Sequence, residues 1–329
     1  MKKLFKISGI IFLAVIILLI AGYAFISFNY PKVTPATDLK ISSTPEMIER
    51  GRYLSNSFAG CIDCHSKRDF SLLAGPLIPG TEGMGGEDFG EGAGYIPAKN
   101  ITPDKETGIG DWTDGEIFRA VTAGIDKKGE PLGPMMPYMF FGKLDKEDVY
   151  AIIAYIKTLP PVKNKVPDHK FNFPLNLIFR TLPADPQFGK RPDPNNSIAT
   201  GEYYSSGCKV CHSPMEKGDF ISGKLFSGGV EFPLPKGGII RSMNITPDKE
   251  TGIGKWTKEQ FIERFKNYLK PKSRQISVHE GEFNSIMPWT FFATAKEEDL
   301  GAVYDYLMSQ NPVSNKVEKF SLNGIKSEN

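Results

Sequence analysis

Charge of one sign is missing from this sequence: 40 Lys and Arg nearly cancel 38 Asp and Glu. A net +2 over 329 residues gives no general pull toward nucleic acid or an anionic surface. Cysteine and histidine are scarce, four of each, so chemistry that uses them depends on where those few residues stand. The glycine-rich stretch 80–94 lacks the G-x-G-x-x-G spacing and follows no clear strand, which argues for a mobile loop and against a nucleotide site. Long uninterrupted elements are also disfavoured, because 33 Gly and 25 Pro exceed the ~12% expected and leave much of the chain as loop. What is plentiful is apolar. At 40% hydrophobic, 24% charged and 12% aromatic, the composition excludes a disordered polymer, and the length suits about two domains of ~100 to 200 residues.

Residues 7–28 carry no charge and are mostly Ile, Leu, Val, Phe and Ala, a run long enough to span a bilayer. Lys2, Lys3 and Lys6 precede it and only Lys32 closely follows, so the positive-inside bias places the N-terminus in the cytoplasm and everything after the run outside. Gly22-Tyr23-Ala24 offers small residues for signal cleavage, but the apolar run continues through Phe25, Ile26 and Phe28. A retained single-pass anchor over 1–30 is the expectation.

The rest of the chain is duplicated. Residues 100–113 recur at 244–257 with one change, Asp111 becoming Lys255. Cys61, Cys64 and His65 recur 147 residues later as Cys208, Cys211 and His212, and Met136-Pro137-Tyr138 recurs 151 later as Met287-Pro288-Trp289. Two long copies argue for tandem domains, 44–163 and 196–314, and not for a solenoid of short repeats. Each copy carries the same helical signals. Thr44 with Pro45 starts a helix whose one face holds Met47, Gly51, Leu54 and Phe58, and Gly201 and Tyr204 take the places of Gly51 and Leu54. Thr113 to Glu116 and Thr257 to Gln260 fit capping boxes. Val149, Ile152, Ile153 and Ile156, matched by Leu300, Val303, Tyr304 and Leu307, follow the helical period and stop at Pro160 and Pro312. Glycines 51 and 201 would admit close packing of this last helix on the first. Between the copies, 160–195 holds eight prolines, so a stiffened linker over 164–195 is expected. Its Phe171, Phe173, Leu175, Leu177, Ile178 and Phe179 should lie across one or both domains and not in water.

Both Cys-Ile-Asp-Cys-His (61–65) and Cys-Lys-Val-Cys-His (208–212) are the Cys-x-x-Cys-His attachment signature of c-type heme. On a helical turn the two sulfurs share a face and reach one porphyrin edge, with the histidine beside the iron. A zinc site would separate its Cys pairs by ~15 to 20 residues, and a thioredoxin-like motif needs a βαβ context. Structural disulfides would not explain a histidine after each pair. Two covalently attached heme c groups are therefore expected, with Cys61, Cys64, His65, Cys208, Cys211 and His212 holding them. The remaining His169 and His279 have no counterparts in the other copy and read as ordinary surface or linker residues. The repeat-matched Met136 and Met287 are preferred as the opposite iron ligands over the neighbouring Met135 and Met139, because a soft thioether favours ferrous iron and raises the potential. The metal ligands are then His65, Met136, His212 and Met287. Trp112 and Trp256 either donate to a heme propionate or pack in the core. Arg180 either neutralises propionates between the domains or is solvent-exposed.

The Cys-x-x-Cys-His motif followed by Asn-Ile-Thr-Pro-Asp, Thr-Gly-Ile-Gly-x-Trp-Thr and Met-Pro-Tyr or Met-Pro-Trp resembles the class I cytochrome c modules of the cytochrome subunits that serve membrane-bound alcohol, gluconate and sorbitol dehydrogenases. The likeness covers nearly all of 44–314, including Phe-Pro-Leu-Asn in the linker. It implies an all-α fold, with two tandem class I cytochrome c domains after an N-terminal transmembrane helix and each heme enclosed by three or more helices. It also implies His65 with Met136 and His212 with Met287 as axial pairs, and electron flow from a donor such as a dehydrogenase subunit toward quinone or an oxidase. Such subunits typically carry three heme modules, whereas this chain has two. The expectation is a non-enzymatic electron carrier with no catalytic residues, anchored in the bacterial inner membrane with its heme domains facing the periplasm. The alternative is a dihaem peroxidase, in which one iron must open to bind peroxide. A sensor would need a signalling domain, for which no region remains.

Overall fold

A computed structural model describes residues 2–90, 92–216 and 218–322. The protein is largely helical, 38% of it, and begins with α1 (Lys2–Asn29), 28 residues long. At ~1.5 Å per residue that is about 42 Å, enough to cross a hydrocarbon layer of ~30 Å. The helix runs unbroken through Gly22-Tyr23-Ala24, and none of its apolar window is buried in protein. The stretch after it is laid along the first repeat. Thr34 donates through its backbone N–H (2.8 Å) and hydroxyl (2.7 Å) to Asp185, and the Ile41 N–H donates to Asp114 (2.8 Å).

The first repeat contains α2 (Pro45–Asn56), α3 (Cys61–Cys64), β1 (Gly94–Tyr95), α4 (Asp114–Ala123), α5 (Tyr138–Phe141) and α6 (Lys146–Ile156). The connecting segment holds β2 (Lys170–Phe171) and α7 (Leu175–Thr181). The second repeat has α8 (Ser197–Tyr204), α9 (Ser206–His212), β3 (Met215–Glu216), β4 (Asp219–Phe220), β5 (Glu231–Pro233), β6 (Ile239–Arg241), α10 (Lys258–Lys266), α11 (Trp289–Phe292), α12 (Glu297–Met308) and β7 (Phe320–Ser321). The strands make three small antiparallel sheets, β1-β2, β3-β4 and β5-β6-β7. Strands of two or three residues are too short to show alternation, so the sequence did not announce them.

The helical signals act as their chemistry requires. The Thr44 hydroxyl accepts from the Met47 N–H, and both capping boxes form, Thr113 with Glu116 and Thr257 with Gln260. Phe58, placed by periodicity on the face of α2, lies beyond its end at Asn56. The last helix of each repeat packs on the first. A Cβ on Gly51 would stand 1.8 Å from the Ala151 carbonyl oxygen, and one on Gly201 2.0 Å from that of Ala302. These distances leave room for hydrogen alone. Both positions have ordinary helical backbone, so close approach is what demands glycine here.

The linker is more structured than its prolines suggested, since it carries a strand and a helix shorter than two turns. It does lie across the first repeat: Phe171 pairs with Gly94 of β1, and its ring meets the buried Phe179 edge-on at 4.9 Å. Phe173 remains exposed. Arg180 neither sits between the repeats nor stands free in water. It pairs with Glu130 (2.7 Å) and donates to the Tyr30 carbonyl (3.2 Å), fastening the end of α1 to the first repeat. In the glycine-rich 80–94 stretch, expected as a mobile loop, residue 91 lies outside the described residues; the part before it is laced down by backbone hydrogen bonds, including Gly85 N–H to the His65 carbonyl (2.8 Å) and Gly86 N–H to that of Ala98 (2.8 Å).

Apolar side chains of both repeats join one buried cluster, bridged where Phe58 stacks on Tyr204 with ring centroids 4.3 Å apart. Beside this contact, Arg50 grips Asp148 through Nε (3.0 Å) and Nη2 (2.7 Å) while its Nη1 donates to the Tyr204 hydroxyl (3.0 Å). The Tyr203 hydroxyl also donates to Asp148 (2.7 Å), and Arg191 pairs with it. Burial pushes the Asp148 carboxyl up, but its hydrogen bond and charge contact with Arg50, then Tyr203 and Arg191, outweigh that and hold it below the ordinary carboxylate value.

Gly51→Ala and Gly201→Ala should each cost about 1–3 kcal/mol by forcing the paired helices apart, which urea titration would measure; unchanged midpoints would contradict the close packing. A depressed carboxyl stabilises only while ionised in the fold. The Asp148 clamp is therefore fully present above the ordinary carboxylate range near pH 4 and is lost as the pH falls below it. Asp148→Asn should lower stability at pH 7 by about 2–3 kcal/mol, less than a fully buried pair because both arginines stay partly in water, and should flatten the acid limb of the pH–stability profile.

Candidate heme-attachment sites

Each Cys-x-x-Cys-His motif forms a helical turn directly after the first helix of its repeat. Cys61 and Cys64 lie on α3, entered through Gly60 in the left-handed region (φ 62°), with His65 as its C-cap; Cys208, Cys211 and His212 lie within α9. All four cysteines are free, Cys64 and Cys211 exposed and Cys61 and Cys208 half-buried. Burial pushes the half-buried Cys61 thiol up to about 11, the opposite of the depressed thiol that nucleophilic catalysis needs.

The histidines are placed identically. His65 Nδ1 lies 2.7 Å from the Lys99 carbonyl oxygen, and His212 Nδ1 lies 2.7 Å from that of Met243. A carbonyl can only accept, so Nδ1 carries the proton and Nε2 keeps its lone pair. Burial lowers both imidazole pKa values, against the pull of that same hydrogen bond. Each ring is therefore neutral near pH 7, with one nitrogen oriented to bind a metal.

The duplicated loop explains why those two carbonyls are in place. Asn100 follows Lys99, and its buried amide donates to Thr107 Oγ1 (3.2 Å) and the Val162 carbonyl (2.8 Å) while accepting from the Thr102 N–H (3.0 Å) and hydroxyl (2.7 Å). Asn244 follows Met243 and does the same with Thr251 (2.9 Å), Val313 (2.7 Å) and Thr246 (3.0 and 2.8 Å). Asp104 and Asp248 each accept from the N–H and hydroxyl of the next threonine, Thr107 or Thr251, at 2.7 Å. The repeated sequence is thus a polar staple between the histidine's carbonyl partner and the chain leaving the last helix. Its side of the site escaped sequence reasoning because the group touching the ring is main chain. The near-identical repetition was visible, but nothing in it pointed to the histidine.

Both Met-Pro-aromatic segments make the same turn. Pro137 (φ −79°, ψ 46°) and Pro288 (φ −77°, ψ 59°) lie near the inverse γ conformation, closed by Tyr138 N–H to the Met136 carbonyl (2.8 Å) and Trp289 N–H to that of Met287 (2.7 Å). Met136 and Met287 are half-buried against the core, whereas Met135 and Met139 are 47% and 46% exposed. Trp112 packs against the core, while Trp256 is 38% exposed. His279 is exposed, and His169 lies against Phe171 (4.5 Å).

The two motifs are neighbours. A Cβ on Gly207, next to Cys208, would stand 4.0 Å from the Phe58 carbonyl oxygen, and the Asp63 carboxylate adds to the upward push on the Cys211 thiol.

Along most of its length the chain is similar to cytochrome c subunits of dehydrogenases. It is 29% identical over 294 residues to the cytochrome c subunit of alcohol dehydrogenase (quinone) from Gluconacetobacter polyoxogenes, covering 83% of this chain and 58% of that one. It is 29% identical over 286 residues to the gluconate 2-dehydrogenase cytochrome c subunit of Pantoea cypripedii, covering 80% and 59%. A diheme cytochrome c-type protein of Cereibacter sphaeroides is 30% identical over 200 residues, 58% of this chain and 64% of that one. The chain thus spans less than two thirds of these relatives. No protein-family model matches it.

Asn100→Ala and Asn244→Ala should each destabilise the protein by about 2–3 kcal/mol, leaving buried threonine and carbonyl groups without partners. Guanidinium unfolding of the two variants would measure it, and losses under ~0.5 kcal/mol, the scale of an ordinary surface change, would show that the loop is not a staple.

Proposed function

We propose that the chain is a membrane-tethered dihaem cytochrome c, with class I domains at 44–163 and 196–314 joined by the linker 164–195. Cys61 and Cys64 would hold one heme and Cys208 and Cys211 the other, with His65 and Met136, and His212 and Met287, as axial pairs. The observation that carries this reading is the matched pair of imidazoles, each with Nδ1 committed to a carbonyl and Nε2 free beside two unpaired cysteines. The donor set fits a covalently attached heme, since the sulfurs suit thioether bonds and a neutral imidazole suits iron. When bound, the group supplies one-electron chemistry at a potential raised by methionine ligation. The residues do the rest. The staple loops would keep each imidazole from turning, and the Met-Pro turns hold Met136 and Met287 half-buried against the core, where a thioether would be available to the iron. With an imidazole and a thioether both engaged, no position would be left for a substrate, as an electron carrier requires. Adjacent motifs suit passage of an electron from one centre to the other.

Trp112 and Trp256 are assigned to the heme environment, with the indole N–H available to a propionate. The relatives' names point to a dehydrogenase as donor, and quinone or an oxidase as acceptor completes the route. The N-terminal helix and its flanking lysines support a body carried on the periplasmic face of a bacterial inner membrane.

Spectroscopy of the purified full chain in detergent tests this. Two low-spin hemes should appear, and the ferric methionine charge-transfer band should halve in Met136→Ala or Met287→Ala and vanish when both are replaced. A high-spin centre that binds cyanide rapidly and turns over peroxide would favour the dihaem peroxidase instead.

A further inference from the structure

The two methionine arms are supported differently, and the difference singles out a residue that the repeat does not duplicate. In the first repeat the arm is braced by the linker, where Phe171 comes so close to Gly133 that a Cβ there would stand 2.9 Å from its ring. In the second repeat the brace comes from the first. The loop after His65 is knitted to the segment leading into Met287: Leu73 N–H donates to the Ile276 carbonyl (2.8 Å), and Val278 N–H to that of Ser71 (2.8 Å). Ala74, in the left-handed region (φ 63°), is fully buried against Tyr268 and Ala293 of the second repeat, with Trp289 packed on the same cluster. A non-glycine residue in that conformation persists only when its surroundings hold it.

Two side chains exchanged across the boundary do the holding. Asn284 accepts from the Ala74 N–H (2.8 Å) and donates to the Phe70 (3.1 Å) and Leu72 (3.2 Å) carbonyls. In the other direction, the Arg68 side chain, only 9% exposed, donates through Nε to the Gly75 carbonyl (2.8 Å) and through Nη2 to that of Ala74 (2.7 Å). Its Nη1 donates to the carbonyl of Ile286 (3.2 Å), the residue before Met287, and lies 3.2 Å from the Asp63 carboxylate inside the first Cys-x-x-Cys-His motif. One guanidinium therefore joins the attachment turn of one repeat to the methionine arm of the other. At the repeat-equivalent place the second copy has Met215, which is 48% exposed, and Asp63 is replaced by Val210.

We propose that Arg68 is a positioning residue for the second centre: supplied by the first repeat, it seats the Met287 arm and so sets how firmly that thioether is presented and the potential at which the centre works. This rests on the His/Met reading above. A thioether is a weak ligand, so its retention depends on the groups that hold its chain, as outer-shell partners do at other metal sites. Only arginine's planar fork meets carbonyls in three directions at once, which a lysine cannot copy.

The test uses the heme-loaded full chain in a Met136→His background, where the remaining methionine charge-transfer band reports the second centre alone. Arg68→Met should remove at least half of that band and shift the second centre's oxidised-to-reduced ratio at fixed ambient potential tenfold or more, 59 mV for one electron. The first centre, whose attachment turn loses only the Arg68 contact with Asp63, should shift by clearly less. Arg68→Lys keeps the charge beside Asp63 but loses the fork, and should move the same two readouts the same way by less. It serves as the test where Arg68→Met fails to accumulate. An intact band with an unshifted potential in these variants, or equal shifts at both centres, would overturn the proposal. Absence of any methionine band from the unsubstituted chain would instead defeat the His/Met reading on which it rests.

Discussion

The arrangement depends on one hydrogen bond made twice: an imidazole N–H that can only donate, held against a backbone carbonyl that can only accept. It settles which ring nitrogen keeps its lone pair and which way that nitrogen points. A carbonyl oxygen has no rotamer of its own, so holding it still means holding the main chain. The Asn-x-Thr-x-Asp-x-x-Thr network does this by tying residues 100–107 and 244–251 to the segments leaving α6 and α12. The last helix is in turn fixed to the first by the glycine contacts. The attachment turn, the loop and the helix pair thus form one closed circuit in each repeat.

Duplication supplied two copies of this circuit, and the contacts between copies made them unequal. Asp148 with Arg50, Tyr203 and Tyr204 locks the helical faces together, while Arg68, Ala74 and Asn284 lock loop to loop. The contact is heterologous, because the post-histidine loop of one copy meets the methionine arm of the other. Each repeat therefore has a different neighbour on its methionine arm, the linker in one case and the other repeat in the second. On the proposed His/Met reading, identical ligands in unlike surroundings would give the two centres different potentials, since second-shell bonding and burial tune a metal whose donors do not change.

The N-terminal helix belongs to the same construction. A free tether would let the body swing, but here residues 30–41 are bonded to Asp185 and Asp114, and Arg180 grips the carbonyl of Tyr30. The first repeat is consequently held against the end of α1, and the second is held through the first.

Much of this was legible in the residues themselves. The periodicity of Val149, Ile152, Ile153 and Ile156 and of Leu300, Val303 and Leu307, the Thr-capped helix starts, the packing role of Gly51 and Gly201 and the apolar N-terminal run are local properties, decided by side chains a few positions apart. The Cys-x-x-Cys-His turns are local as well. The carbonyl partners of His65 and His212 were not legible, because a backbone oxygen has no letter of its own. Arg68 and Asn284 were also hidden, since they are 216 residues apart in the chain and only packing brings their loops together. Side chains repeated at short spacing dictate local structure on their own; which distant loop a buried guanidinium meets is decided by how two cores dock, and that is a property of the folded whole.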